Sequence, residues 1–166
     1  MERSLKLYFV RHGTAASKLT WTGDDDLRPL TRVGRRRFQG VASSLIAAGL
    51  LRPDLIVTSP LVRARQTAEL LSATLPTEVP IQEDVRLGHE FDLAALGALL
   101  SEHSDLSSLA IVGHNPSFGA VLSQMVGGAN LEIRKGAVAL VQVSDPPEPE
   151  GCLIWLAPPS IFKQSD

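Results

Sequence analysis

LYFVRHGTAAS, residues 7–17, decides the fold and raises the first functional question. Apolar residues Leu7 to Val10 run straight into Arg11-His12-Gly13-Thr14. A short apolar run that ends at a glycine has the dimensions of a buried strand. Gly13 alone would be enough to end it. Two basic side chains at its tip therefore point to a site, and the rest of the chain has to supply its other walls.

Extended back to Leu5–Val10, this run is the first of five of strand length. The others are Leu55–Val57, Leu109–Val112, Ala137–Val143 and Cys152–Leu156. Helical patterns lie between the first three. Phe38, Val41, Ala42 and Leu45 share one helical face, with Thr31 as cap and Gly49 as stop. Leu61, Ala64, Ala68, Leu71 and Leu75 form a second stripe, opened by Ser59 as cap and Pro60 at the first helical position. A third helix starts at Asp92 and buries Leu93, Leu96 and Leu100. A fourth starts at Asn115-Pro116 and buries Phe118, Val121, Leu122 and Met125. The last two runs flank the turn-rich SDPPEPEG and read as a closing hairpin. Alternating strands and helices predict one layered α/β domain over residues 1–166, its largely parallel central sheet flanked by helices on both faces.

Parallel strands carry their carboxyl ends on one edge of the sheet, and open α/β sheets bind ligands there. Three strand ends bear polar residues: Arg11-His12-Gly13, Thr58-Ser59-Pro60 running on to Arg63, and Gly113-His114-Asn115. Arg11, His12, Arg63 and His114 are thus expected to converge on a cationic pocket. Arginine suits phosphate because its planar fork donates two parallel hydrogen bonds. Helix starts at Pro60 and Pro116 would add backbone N–H groups. A neutral imidazole is a competent nucleophile toward phosphorus. Gly13 is expected to allow a tight turn close to the ligand. The implied reaction is phosphoryl transfer to a histidine and then to water. Without a Walker-type glycine loop, nucleotide-driven transfer is not suggested.

Composition narrows the classes. The chain has 166 residues, 44% of them hydrophobic, which suits one domain with a sizeable core. Lys and Arg number 16 against 18 Asp and Glu, so charge gives no case for nucleic acid or a membrane surface. No apolar run approaches the roughly 20 residues of a membrane span. MERSLKLYFV is too soon interrupted for a signal peptide. The single Cys152 excludes an internal disulfide and is expected to pack as a small apolar residue. A cytoplasmic location is the default expectation.

VRHGTA, TSPLVRARQTAELL and VGHNPSF resemble, in that order, the three signatures of the histidine phosphatase superfamily. DDLRPLTRVGRRR and the short chain are most similar to the SixA-type phosphohistidine phosphatases. The resemblance implies a phosphoglycerate mutase-like fold. It implies His12 as the phosphorylated nucleophile and Arg11, Arg63 and His114 as the rest of the phosphate pocket. Arg28 is suggested as a further phosphate or substrate contact, and Thr14 and Asn115 join it as substrate-binding candidates. Neither metal nor cofactor is called for.

Larger members of the superfamily carry a helical insertion with an acid that protonates the leaving group. Here that stretch is only EDVRLGHEFDLAAL, where His89, Glu90 and Asp92 are the candidate acids. So short a segment leaves little material for a lid. An open pocket suits a phosphorylated side chain on another protein better than a small metabolite. A phosphatase for small phosphate esters is the alternative within enzymes, and a non-catalytic phosphate-binding module the alternative outside them. A mutase fits less well, because a rotating intermediate needs enclosure. Among the remaining polar residues, Asp24-Asp25-Asp26 reads as a solvated loop with no second ligand cluster. His103 reads as structural or exposed. Arg32, Arg35 and Arg36 form a helical stripe that is either solvated or docks an acidic partner.

Overall fold

The computed structural model describes residues 4–162. Ten main elements follow one another: β1 (Leu5–Arg11), α1 (Arg32–Ala47), β2 (Leu55–Thr58), α2 (Val62–Thr74), β3 (Ile81–Glu83), α3 (Leu93–Glu102), β4 (Ser108–Gly113), α4 (Ser117–Met125), β5 (Val138–Val143) and β6 (Gly151–Ala157). The strands form one sheet in the order β3-β2-β4-β1-β5-β6. β3, β2, β4 and β1 run parallel, while β5 is antiparallel to both β1 and β6. The expected architecture is therefore present, and the last two strands form the expected hairpin.

Strand residues alternate between two cores. Leu5, Leu7 and Phe9 pack with Val57, Leu109, Ile111 and Val141 beneath α3 and α4, through Leu96, Leu99, Phe118 and Leu122. Tyr8 and Val10 pack with Ile56, Ala110, Val112 and Leu140 beneath α1 and α2, through Phe38, Val41, Ala64 and Ala68. With both faces covered, a parallel strand has no polar face to show, so β1 and β4 read as continuous apolar runs.

Local signals set most of the boundaries. Thr31 Oγ1 accepts from Gly34 N at 2.9 Å and opens α1. Asp92 Oδ1 accepts from Ala95 N at 2.8 Å and opens α3. Gly49, at φ +72°, lies just past the end of α1 in a conformation that glycine adopts readily. Two starts differ from expectation. Helix α2 begins at Val62, because Ser59 Oγ is spent on Leu61 N before the helix forms. Helix α4 begins at Ser117, and Asn115 caps nothing there: its amide donates to Ile133 O at 3.0 Å. Strand β3 was not foreseen, since all three of its residues are exposed and leave no apolar run. Cys152 is exposed on β6 rather than packed. Among the described residues, no helix is long and apolar enough to cross a membrane.

Candidate active site

Register brings the polar strand ends together. Arg11 pairs with Gly113, and Thr58 pairs with Val112. One further ladder bond, His12 N to Gly113 O at 3.1 Å, carries β1 beyond its last strand residue and sets His12 beside His114. Their ring centroids are 5.1 Å apart, and both residues are buried. His12 Nδ1 lies 2.7 Å from Gly13 O. A carbonyl can only accept, so Nδ1 carries the hydrogen and Nε2 keeps the lone pair.

Gly13 makes close approaches possible, at a φ that is not positive. A Cβ there would sit 3.3 Å from Gly34 O and 3.4 Å from Leu30. At Gly34 a Cβ would overlap Thr14 O, so α1 presses directly against the loop after His12. Gly13 N donates to Thr67 Oγ1 at 3.1 Å, and Thr67 Oγ1 donates to Arg63 O at 2.7 Å. The backbone of the first motif is thereby tied to the second.

Burial is the largest influence on both histidines. It outweighs the Gly13 carbonyl, which alone would raise His12, and with the charges of Arg63 and Arg11 it brings His12 down to about 3. Burial, the neighbouring His12 and Arg63 bring His114 down to about 2. Both rings are neutral near pH 7, which leaves His12 its lone pair. His114 Nε2 lies 2.8 Å from Ser59 Oγ.

The arginines surround the two rings. Arg11 Nη1 donates to Ile133 O at 2.8 Å. Arg63 donates to Asp25 twice, from Nη1 to the backbone oxygen at 2.8 Å and from Nη2 to Oδ2 at 3.1 Å. Arg28 is buried as well, and it donates to Asp25 Oδ1 at 3.0 Å and to Ala16 O at 2.7 Å. Burial alone would raise the Asp25 carboxyl, but the Arg28 hydrogen bond and the charges of Arg63 and Arg28 bring it below its ordinary value. Arg11 Nε, Arg63 Nε and His114 Nδ1 are buried without a partner. Buried donors are almost always satisfied. Unpaired guanidinium donors beside neutral imidazoles fit an anion with several acceptor oxygens, such as phosphate.

The structure thus brings Arg11, His12, Arg63, His114 and Arg28 together. The candidate acids part company. His89 lies with its ring 5.7 Å from that of His114 and its Nε2 3.2 Å from Asp26 Oδ1. Glu90 is exposed, and Asp92 is committed to capping α3. Thr14 contributes its carbonyl to Thr31 N at 2.9 Å. Asn115 keeps Oδ1 buried without a partner. His103 is half-buried just past α3, with its Nε2 buried without a partner. Arg32 and Arg36 are exposed, and Arg35 is half-buried.

The triple aspartate needs correcting. Asp25 is no solvated loop residue, since it bridges two buried arginines. Nor does the loop lack companions. Ligand atoms of Asp25, Asp26 and His89 all lie within 4.8 Å of one another, a spacing a metal ion could use. However, Asp25 already serves Arg28 and Arg63, whose charges oppose a cation at that point. Sequence reasoning missed the parts played by Asp25, Ser59, Thr67 and the Ile133 carbonyl. Of these, Ser59 and Thr67 carried a signal as the small hydroxyl residues of TSPLVRARQTAELL, and Asp25 as the first residue of DDLRPLTRVGRRR, while the Ile133 carbonyl carried none.

A family model, the histidine phosphatase superfamily (branch 1), matches residues 7–93, and the chain belongs to that superfamily. An uncharacterized protein of Picosynechococcus sp. is 41% identical over 120 residues, covering 69% of each chain. Among solved structures, the protein histidine phosphatase SixA complexed with tungstate superposes with a TM-score of 0.84 at 23% identity, covering 96% of this chain and 100% of that one. The alpha-ribazole phosphatase from Shigella flexneri superposes at 0.72 with 17% identity, covering 93% and 97%. These two likenesses carry the fold. Membership in the superfamily supports a phosphatase, a hydrolase working through histidine.

Proposed function

We propose that this chain is a metal-independent phosphatase that uses His12 as nucleophile and dephosphorylates phosphohistidine on a phosphotransfer or signalling protein. The observation that carries this reading is the neutral His12, with its Nδ1 hydrogen given to Gly13 O, set among buried arginine donors that lack acceptors. His12 Nε2 attacks phosphorus, and the bond from phosphorus to the substrate's imidazole breaks. Its electron pair leaves with that imidazole, which takes up a proton. Water then attacks the phosphorylated His12, the new P–N bond breaks, and phosphate leaves with His12 neutral again. Arg11, Arg63, Arg28 and His114 hold the charge that builds on the equatorial oxygens. Thr14 and Asn115, close in sequence to the two histidines, are the proposed substrate contacts. The cytoplasm is the compartment that suits such a partner.

The choice of substrate rests on the short segment between β3 and α3, whose His89 and Glu90 are exposed. Likeness to the SixA fold agrees with it. Replacing His12 by alanine should lower turnover on the order of 10⁴-fold or more while phosphate still binds through the arginines. Rapid quenching of the wild type with labelled phosphohistidine substrate should trap an acid-labile phosphoprotein. Substantial activity in the alanine variant sinks the mechanism.

A second reading, a phosphatase for small phosphate esters, is favoured by one observation. His89, held by Asp26 beside His114, is positioned to protonate an alkoxide. The alpha-ribazole phosphatase shares the fold. A leaving-group series separates the two. If phosphohistidine is the substrate, His89→Gln changes its hydrolysis only a few-fold and alkyl phosphates stay slow. Alkyl phosphates hydrolysed as fast as phosphohistidine, and lost selectively in His89→Gln, would replace the first reading by the second.

A further inference from the structure

Next to Arg11 lies an open surface depression of about 490 Å³, lined by Arg11, Glu132, Arg134, Lys135, Pro159 and Ser160. Arg11 therefore borders both this depression and the phosphate pocket. The segment that carries the other basic residues is anchored at both ends. Ile133 O accepts from Arg11 Nη1 at 2.8 Å and from Asn115 Nδ2 at 3.0 Å. Gly136 N donates to Arg11 O at 3.1 Å and to His12 O at 2.9 Å. Gly136 has φ +79°, so the chain turns there in a way that favours glycine. Lys135 thus lies two residues after Ile133, bonded to the Arg11 side chain, and just before Gly136, bonded to the backbone of Arg11 and His12.

The charges in the depression are unbalanced. Glu132 is matched by Arg134, with Nε 3.2 Å from Oε1. Lys135 and Arg11 have no carboxylate partner among the described residues. Desolvation and then the charges of Arg11, Arg28, Lys18 and Arg63 push the Lys135 ammonium below its ordinary value. The lysine stands in the same positive field as the phosphate pocket. Lys135 is exposed, as are Glu132, Arg134 and Ser160, so an incoming anion can reach it directly, while its backbone is fixed and Arg11 joins it to the phosphate pocket.

We propose that this depression is a second anion subsite, in which Lys135, aided by Arg134 and the Ser160 hydroxyl, receives a negatively charged group that the substrate carries next to its phosphoryl group. The ligand chemistry is a carboxylate or phosphate a short distance from the group being removed. Its source is either an acidic side chain flanking the phosphorylated residue of a protein or the second anion of a small ester. This inference rests on the phosphatase reading for its link to turnover, but not for binding.

Two experiments test it on the whole chain. In the first, Lys135→Gln and Lys135→Arg are compared with wild type on p-nitrophenyl phosphate, on phosphohistidine peptides with acidic or alanine flanks, and on propane-1,3-diol bisphosphate. The glutamine variant should raise KM about tenfold for whichever substrate supplies the second anion, with kcat within twofold. It should leave p-nitrophenyl phosphate and the alanine-flanked peptide unchanged, and arginine should restore the wild-type KM. The acidic peptide and the bisphosphate distinguish the two sources. An equal change on every substrate, or no change on any, overturns the subsite. In the second, calorimetry compares the bisphosphate with propyl phosphate, without turnover. Wild type should bind the bisphosphate about tenfold more tightly, and Lys135→Gln should close that gap. A gap in a chain that hydrolyses nothing leaves the subsite standing and removes the phosphatase reading. Turnover without a gap, and without an effect of Lys135 on KM, does the reverse.

Discussion

The two edges of the parallel strands handle their polar groups in opposite ways. At the amino edge of β2 and β4, Ser108 Oγ donates to Arg52 O at 2.9 Å, Ser108 N donates to Asp54 Oδ2 at 2.9 Å, and Asp54 N donates to Ser108 O at 3.1 Å. These groups answer one another. At the carboxyl edge, Arg11 Nε, Arg63 Nε and His114 Nδ1 are left without partners. Both edges are products of the same strand register. The difference is that one closes its own hydrogen bonds and the other keeps donors for something that arrives from outside. What marks the site is the clustering: four of the five buried unpaired side-chain atoms among the described residues belong to Arg11, Arg63, His114 and Asn115, and only His103 Nε2 lies elsewhere.

Substitutions at each edge should break this contrast in opposite ways. Arg63→Ala removes a guanidinium whose Nε is unpaired. It should cost 10²–10³-fold in kcat/KM, roughly the cost of losing one transition-state donor, and only about 1 kcal/mol of stability with its hydrogen bonds to the half-exposed Asp25. Asp54→Ala should do the reverse, losing about 1–2 kcal/mol by denaturant titration through the Ser108 groups it abandons, with activity nearly unchanged. Equal effects of both changes on stability and activity would dissolve the distinction between the edges.

Acid sharpens the comparison further. His12 and His114 stay neutral in the folded chain down to about 3 and about 2. In the unfolded chain they take up protons near pH 6.5. Below that value the unfolded state binds more protons, so stability falls as pH falls. Above it, the two rings contribute no pH dependence. The slope should approach about 1.4 kcal/mol per pH unit for each histidine between pH 6 and pH 4. Replacing both by asparagine should flatten it, and a slope unchanged in that double variant would show that other groups cause it. The smallest expected effect is none at all. Excess chelator should leave turnover intact, because arginines supply the charge at the Asp25–Asp26–His89 corner. Loss on chelation, restored by a divalent ion, would make that corner a metal site.

The edge that binds was the more legible of the two in the sequence. An apolar run broken by Arg11-His12 announces itself, and so does Gly113-His114 after Leu109–Val112. Parallel strands do the rest, because they leave no choice about where those ends meet. What stayed hidden depends on meetings that no local pattern encodes. Asp25 reaches Arg63 across 38 residues, side chain to side chain. Ile133 acts through its carbonyl, and a carbonyl has no residue code. Strand β3 is short and exposed, so periodicity had nothing to register. Ser59 misled because its hydroxyl serves a turn ahead of α2 rather than the helix itself.

Strand β1 lies between β4 and β5 in the sheet. Its ladder partners on one side are residues 108–113 and on the other residues 138–143. His12 is therefore translated long before residues 138–143, and until they follow it lacks its neighbour on that side. Such pairing is of long sequence separation, and its loops must close before any contact rewards them. Nascent fragments lacking β5 would hold the motif residues without the geometry that makes them reactive. Phosphoryl transfer would thus await residues 138–143, and a product truncated before them would be inert rather than unregulated.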